Sequence, residues 1–177
     1  TIGTWNNSTS LNITSLDTAV YRPTGGSASN SIYVGTSASS TKAQIYGTYP
    51  NTINYTVCMS GANTGSHCTT TTRILKQNVD IYSSGLFLYT VSEVVGTVSV
   101  PGTGVAPGDS GGPVYRNDPN FPGSSPYRAV GMISAGASPE VCSVVPVVSS
   151  TATSCFATEF WVDVTQILAA LNLRIAP

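Results

Sequence analysis

The chain is written in short runs rich in Val, Ile, Tyr and Thr: TAVYR, SIYVG, AQIYG, INYTVCM, GLFLYTV, VVGTVSV, GPVYR and AVGMIS, set off by Gly, Pro, Asn and Ser. Runs this brief and β-branched suit strands, and their punctuation suits turns, so the pattern predicts an all-β barrel or sandwich. One stretch breaks the rule. VDVTQILAALNL, near the carboxyl end, places Val164, Ile167, Leu168 and Leu171 on one helical face with Asp163 as its N-cap. A single closing helix is expected there. RPTGGSASN (Arg22 to Asn30) carries no apolar period and reads as a linker, dividing the chain into 1–30, too short for a domain, and 31–177.

With 177 residues, 41% of them hydrophobic, the chain can bury a substantial core. Charged residues make up only 8% and the net charge is −1, so there is no basic face for a run of phosphates and nucleic acid is excluded as a partner. No apolar run approaches the roughly 20 residues that span a bilayer, and the first residues form no signal peptide. A soluble chain with no membrane partner, from which any targeting segment has been removed, is expected. Its polar residues are mainly Ser, Thr and Asn, a composition commoner in secreted proteins. The four cysteines allow three connectivities, but they fall into close pairs, Cys58 with Cys68 and Cys142 with Cys155, each bracketing a short loop. Two local disulfides and an oxidising compartment are expected. A zinc site is the rival, disfavoured by one histidine and no CxxC pair. Asn6, Asn7, Asn12 and Asn54 each open an Asn-X-Ser/Thr triplet, the acceptor of N-glycosylation in a eukaryotic secretory host.

PGDSGGP (Pro107 to Pro113) carries the chemistry. A serine attacks a carbonyl only if its oxygen is exposed, its proton can leave, and the developing oxyanion meets donors fixed in advance. Gly108 can adopt a backbone conformation closed to other residues, letting its N–H and that of Ser110 point into one hole. Gly111 and Gly112 leave space for substrate, and Asp109 takes a structural role. The bland alternative is a Gly/Asp hairpin turn.

The loop and its surroundings resemble the chymotrypsin-fold serine proteases, specifically the secreted bacterial branch of alpha-lytic protease and the streptogrisins. VCMSGANTGSHC (Val57 to Cys68) resembles that branch's disulfide-closed hairpin, APGDSGGPVY its nucleophile loop, AVGMISAGAS the strand and turn lining its substrate cleft, and TEFWVDVTQILAALNL its last strand and closing helix. These segments run in the family's order over about residues 31 to 177; RNDPNFPGSSPYR departs from it as an insertion. The resemblance implies a double β-barrel with a C-terminal helix, the first barrel truncated in this chain, and peptide-bond hydrolysis without metal or organic cofactor.

It also implies a triad ordered His, Asp, Ser. SLDTAVYRP is similar to the family's acid segment and gives that role to Asp17. The base should lie upstream of Asp17, where no histidine occurs. His67 would give the order Asp, His, Ser of subtilisin, but subtilisin alternates strands and helices and this chain does not. His67 also falls in the GSHC segment that resembles the family's noncatalytic loop. The expectation is therefore a nicked enzyme whose histidine lies on an upstream segment or a second, noncovalently attached chain. The competing expectation is a pseudoprotease whose groove binds a peptide or protein.

For the substrate, the resemblance implies that Ser134, Ala135 and Gly136 form an edge for antiparallel pairing, with Gly136 leaving the pocket entrance open. Alternation along TEFW puts Glu159 and Trp161 on one side and Phe160 on the other. A Glu159 facing the pocket would favour a Lys or Arg side chain; a solvent-facing one would leave the pocket to apolar groups.

Overall fold

The computed structural model describes residues 4–5, 21–22, 29–83, 85–118, 120, 127–143 and 154–175. They form ten strands and one helix: β1 (Thr4–Trp5), β2 (Tyr21–Arg22), β3 (Ser31–Tyr33), β4 (Lys42–Thr48), β5 (Thr56–Gly61), β6 (Gly65–Ser83), β7 (Leu86–Val98), β8 (Pro113–Asn117), β9 (Tyr127–Val141), β10 (Ser154–Asp163) and α1 (Val164–Leu171). Among the described residues, the short β1 and β2 pair with each other and with no other strand. All the rest lie in a second sheet.

Neighbours in that sheet run β10-β7-β6-β5-β8-β9, and β10 also pairs with β9, so these strands close on themselves. Every pairing around the ring is antiparallel. The result is a barrel without free edges, the arrangement that best protects a β-protein from edge pairing. β4 attaches outside, parallel to β9 through Ile45↔Tyr127 and Thr48↔Ala129, and β3 pairs with β4.

Alternation fills the barrel. Val57, Met59, Val94, Val105, Val114, Val130, Ile133 and Trp161 form its main buried cluster. A smaller cluster of Ile45, Cys58 and Tyr115 lies between the barrel and β4. At about 25 cal/mol per Å² of apolar surface removed from water, side chains of this size each contribute about 1.5–3 kcal/mol, and they form the main driving force for closure.

The expected helix is present and capped as read. The Asp163 carboxylate accepts the Thr165 N–H at 2.7 Å, and Asn172 ends the helix in the left-handed region at φ 51°. The other oxygen of Asp163 accepts from the Asn51 side chain at 2.7 Å, and Asn51 in turn accepts the Trp161 indole N–H at 2.9 Å. This relay ties the helix to the core. Both expected disulfides, Cys58–Cys68 and Cys142–Cys155, are formed.

The strand reading needs two corrections. GLFLYTV and VVGTVSV are not separate strands, because Ser92 and Glu93 continue the ladder opposite Asn78 and Gln77. The intervening β6 extends through TTTTRILKQNVDIYS, a polar stretch that joins the sheet through pairing with β7. Together they make a long hairpin whose end exposes Tyr82, Leu86, Phe87 and Leu88.

Candidate active site

The segment joining β7 to β8 carries Pro107–Pro113. Gly108 has φ 95°, a left-handed conformation that strains any residue with a Cβ, and here a Cβ would also press within 2.5 Å of the Asn63 amide. Asp109 follows and is buried. Its carboxylate accepts Asn63 N–H at 2.7 Å, Thr64 N–H at 3.3 Å, the Thr64 hydroxyl at 2.6 Å and Ala106 N–H at 2.8 Å. All four of these partners are hydrogen-bond donors and none is a cationic side chain. A Cβ on Gly61 would lie 2.1 Å from the Asp109 carboxyl carbon, so glycine there makes the room. Asn63 adds a bond from its side-chain amide to Pro107 O at 2.6 Å.

These contacts turn the next residue outward. Ser110 is exposed, and its hydroxyl donates to Ser134 O at 2.9 Å. Within the loop, the Asp109 N–H bonds to Ala106 O at 3.1 Å, Gly111 N–H to Ile133 O at 2.8 Å and Gly112 N–H to Asp109 O at 2.9 Å. Among the described residues, the N–H groups of Gly108 and Ser110 have no protein acceptor. Two N–H groups without an acceptor among the described residues thus lie on the same loop as an exposed hydroxyl.

A cavity of about 830 Å³ opens beside the loop, lined by Gly108 to Pro113 and, across from them, by Tyr33, Gly61, Met132, Val164 and Ile167 among others. Ser134, Ala135 and Gly136 lie on β9 and pair through Ala135 and Gly136 with Phe160 and Glu159 of β10. Only Ser134 is thereby brought into contact with Ser110. Asp17 lies outside the described residues.

Glu159 faces inward, as alternation requires, and is completely buried with Trp161. Its carboxylate accepts Val105 N–H at 2.7 Å and the Thr70 hydroxyl, and lies 3.4 Å from His67 Nε2. These three partners all belong to the protein itself, one of them a backbone N–H and two of them side chains. Val105 and Ala106, the residues that lead into the loop, thus give their consecutive N–H groups to two different buried carboxylates, Glu159 and Asp109. His67 is engaged with Glu159, while the Ser110 hydroxyl is bonded elsewhere.

Sequence reading missed Asn63 and Thr64. Their only signal was position, in the tight turn of a hairpin stapled by Cys58–Cys68. That turn grips the nucleophile loop 44 to 46 residues away along the chain.

No protein-family model and no curated protein matches the sequence. Solved structures do match. A Nocardiopsis protease superposes with a TM-score of 0.58 and 26% sequence identity, over 90% of this chain and 67% of its own. The Cellulomonas bogoriensis chymotrypsin gives 0.59 and 26%, over 89% of this chain and 68% of its own. The closed barrel and its closing helix accord with these matches: the chain has the chymotrypsin fold in the form taken by bacterial serine proteases.

Proposed function

We propose that the chain is the nucleophile-bearing part of a serine endopeptidase. The observation that carries this reading is the pair of acceptor-free N–H groups, Gly108 and Ser110, around an exposed Ser110 hydroxyl on a loop anchored by buried Asp109. Ser110 Oγ attacks the peptide carbonyl as a base takes its proton, and the two N–H groups hold the resulting oxyanion. Collapse expels the amine, which receives the proton, and leaves an acyl-enzyme. Water activated by the same base then releases the acid and restores Ser110.

The base is a histidine outside this chain, on an upstream segment or an associated fragment, held in the correct tautomer by Asp17. His67 is unsuited to the task because its ring faces Glu159. The cavity beside Ser110, with apolar Met132, Val164 and Ile167 in its lining, gives such a segment a place to seat. Ser134, Ala135 and Gly136 pair with substrate backbone. The two disulfides favour an extracellular setting.

The test is denaturing mass spectrometry of the native, proteolytically active preparation. A second, histidine-containing polypeptide is expected beside the 18.3 kDa chain, and Ser110→Ala should lower peptide hydrolysis by about a million-fold. Activity that survives Ser110→Ala would overturn the reading. The second reading, a noncatalytic peptide-binding module, is favoured by one observation: the chain's single histidine is engaged away from Ser110. Peptide binding by a preparation that contains this chain alone and hydrolyses nothing would support it.

A further inference from the structure

The far end of β8 from the nucleophile loop buries a positive charge. Arg116 is only 8% exposed, yet among the described residues no carboxylate pairs with it; the ion pairs found there join His67 to Glu159 and Arg128 to Asp118. A guanidinium so buried is costly unless partners meet both its charge and its five N–H donors. The charge is met in part. The guanidinium carbon sits over the Tyr49 ring, 4.3 Å from its centroid, and over the Tyr55 ring at 4.5 Å, so two aromatic rings attract the cation. The donors are largely left over: Nε reaches Asn117 O at 3.4 Å, and the four N–H bonds of Nη1 and Nη2 have no acceptor among the described residues.

The surroundings supply no counter-charge. Asp118 is the nearest carboxylate along the chain, but one of its oxygens accepts Arg128 Nε at 3.2 Å and the other accepts Asn120 N–H at 3.0 Å. The connection that follows it, PNFPGSSP, and the segment that carries both tyrosines, YPNTINY, contain no Asp or Glu. Directly across the ladder from Arg116 stands Arg128, a second cation on the same face of the sheet. Two guanidinium groups and one carboxylate leave this patch net positive in a chain that is net negative. Nη1 and Nη2 present paired N–H bonds, the fork that matches two oxygens of one anion.

We propose that Arg116, held by Tyr49 and Tyr55, is an anion-binding site that takes a phosphate group through Nη1 and Nη2. The second cation at Arg128 favours a doubly charged phosphate over a carboxylate. A single site of this kind is not the basic face that a run of phosphates needs, so the exclusion of nucleic acid stands. None of these residues lines the cavity beside Ser110, and the inference does not depend on the peptidase reading.

The experiment follows the Arg116 Nε–Hε resonance of the native protein by NMR, identified by its contacts with the Tyr49 and Tyr55 rings, as inorganic phosphate or chloride is added at constant ionic strength. Phosphate is expected to shift the resonance to saturation, and chloride to leave it in place. In titration calorimetry, Arg116→Lys, which keeps the charge but not the fork, should weaken phosphate binding about tenfold or more. Tyr55→Leu, a change at an exposed position, should weaken it as well and serves if the lysine variant fails to fold. Phenyl phosphate separates the two sources of the group: tighter binding than inorganic phosphate assigns the site to an esterified phosphate, with exposed Tyr55 and Ile53 beside it, and weaker binding assigns it to the free anion. An equal response to chloride, a phosphate shift confined to other arginines, or unchanged phosphate affinity in a folded variant would overturn the proposal.

Discussion

Asp109 shows how a single residue sets a loop. Four donors converge on its buried carboxylate, three of them backbone N–H groups that have no other role in the chain's hydrogen bonding. Asp109→Ala leaves those donors buried and unpaired, and we expect a loss of about 3–5 kcal/mol in urea unfolding, together with loss of any reactivity at Ser110. Tyr115 makes a second residue-level prediction. Burial pushes its phenol above the ordinary value of 10.0, partly offset by the hydrogen bond with Ser66. The fold therefore prefers the neutral phenol, so this contribution is complete below about pH 10 and is lost as pH rises from there toward the raised folded value. Tyr115→Phe should flatten that alkaline fall in stability above about pH 10, at a cost of about 1 kcal/mol at neutral pH. An equally steep alkaline fall in the variant would assign it to another group.

At the scale of elements, the closing helix is short and held by its ends. Asp163→Ala removes both the cap on Thr165 and the acceptor for Asn51, and should cost about 1–2 kcal/mol, read as a lower urea midpoint with an unchanged slope. The helix, its cap and both disulfides were legible in the sequence because each depends on residues close together along the chain. β6 was not. Its Lys76, Gln77, Asn78 and Asp80 lack the apolar signal of a strand, and only pairing with β7, supplied by the closed sheet, makes them one. The candidate site divides the same way. Ser110 and Gly108 could be read from one heptapeptide, whereas the grip of Asn63 and Thr64 on Asp109 depends on two turns meeting in space. The engagement of Glu159 was invisible for a related reason: alternation gives the side of a sheet, not the partners waiting there.

Across the whole molecule, a closed barrel presents an anchored serine loop at the mouth of a cleft, while the matched bacterial enzymes extend beyond the part this chain covers. The division of labour we propose follows from that geometry: this chain supplies nucleophile, oxyanion donors and substrate edge, and another segment supplies the base. A serine of this kind reacts with a fluorophosphonate only when its proton has somewhere to go. The most direct test is therefore fluorophosphonate labelling of the native preparation, with the modified residue located by peptide mass spectrometry. A single adduct on Ser110, lost when the chain is separated from its histidine-bearing segment and regained on recombination, is the predicted result. An adduct on Ser110 of equal yield in the isolated chain, or no adduct in a preparation that cleaves peptides, would contradict it.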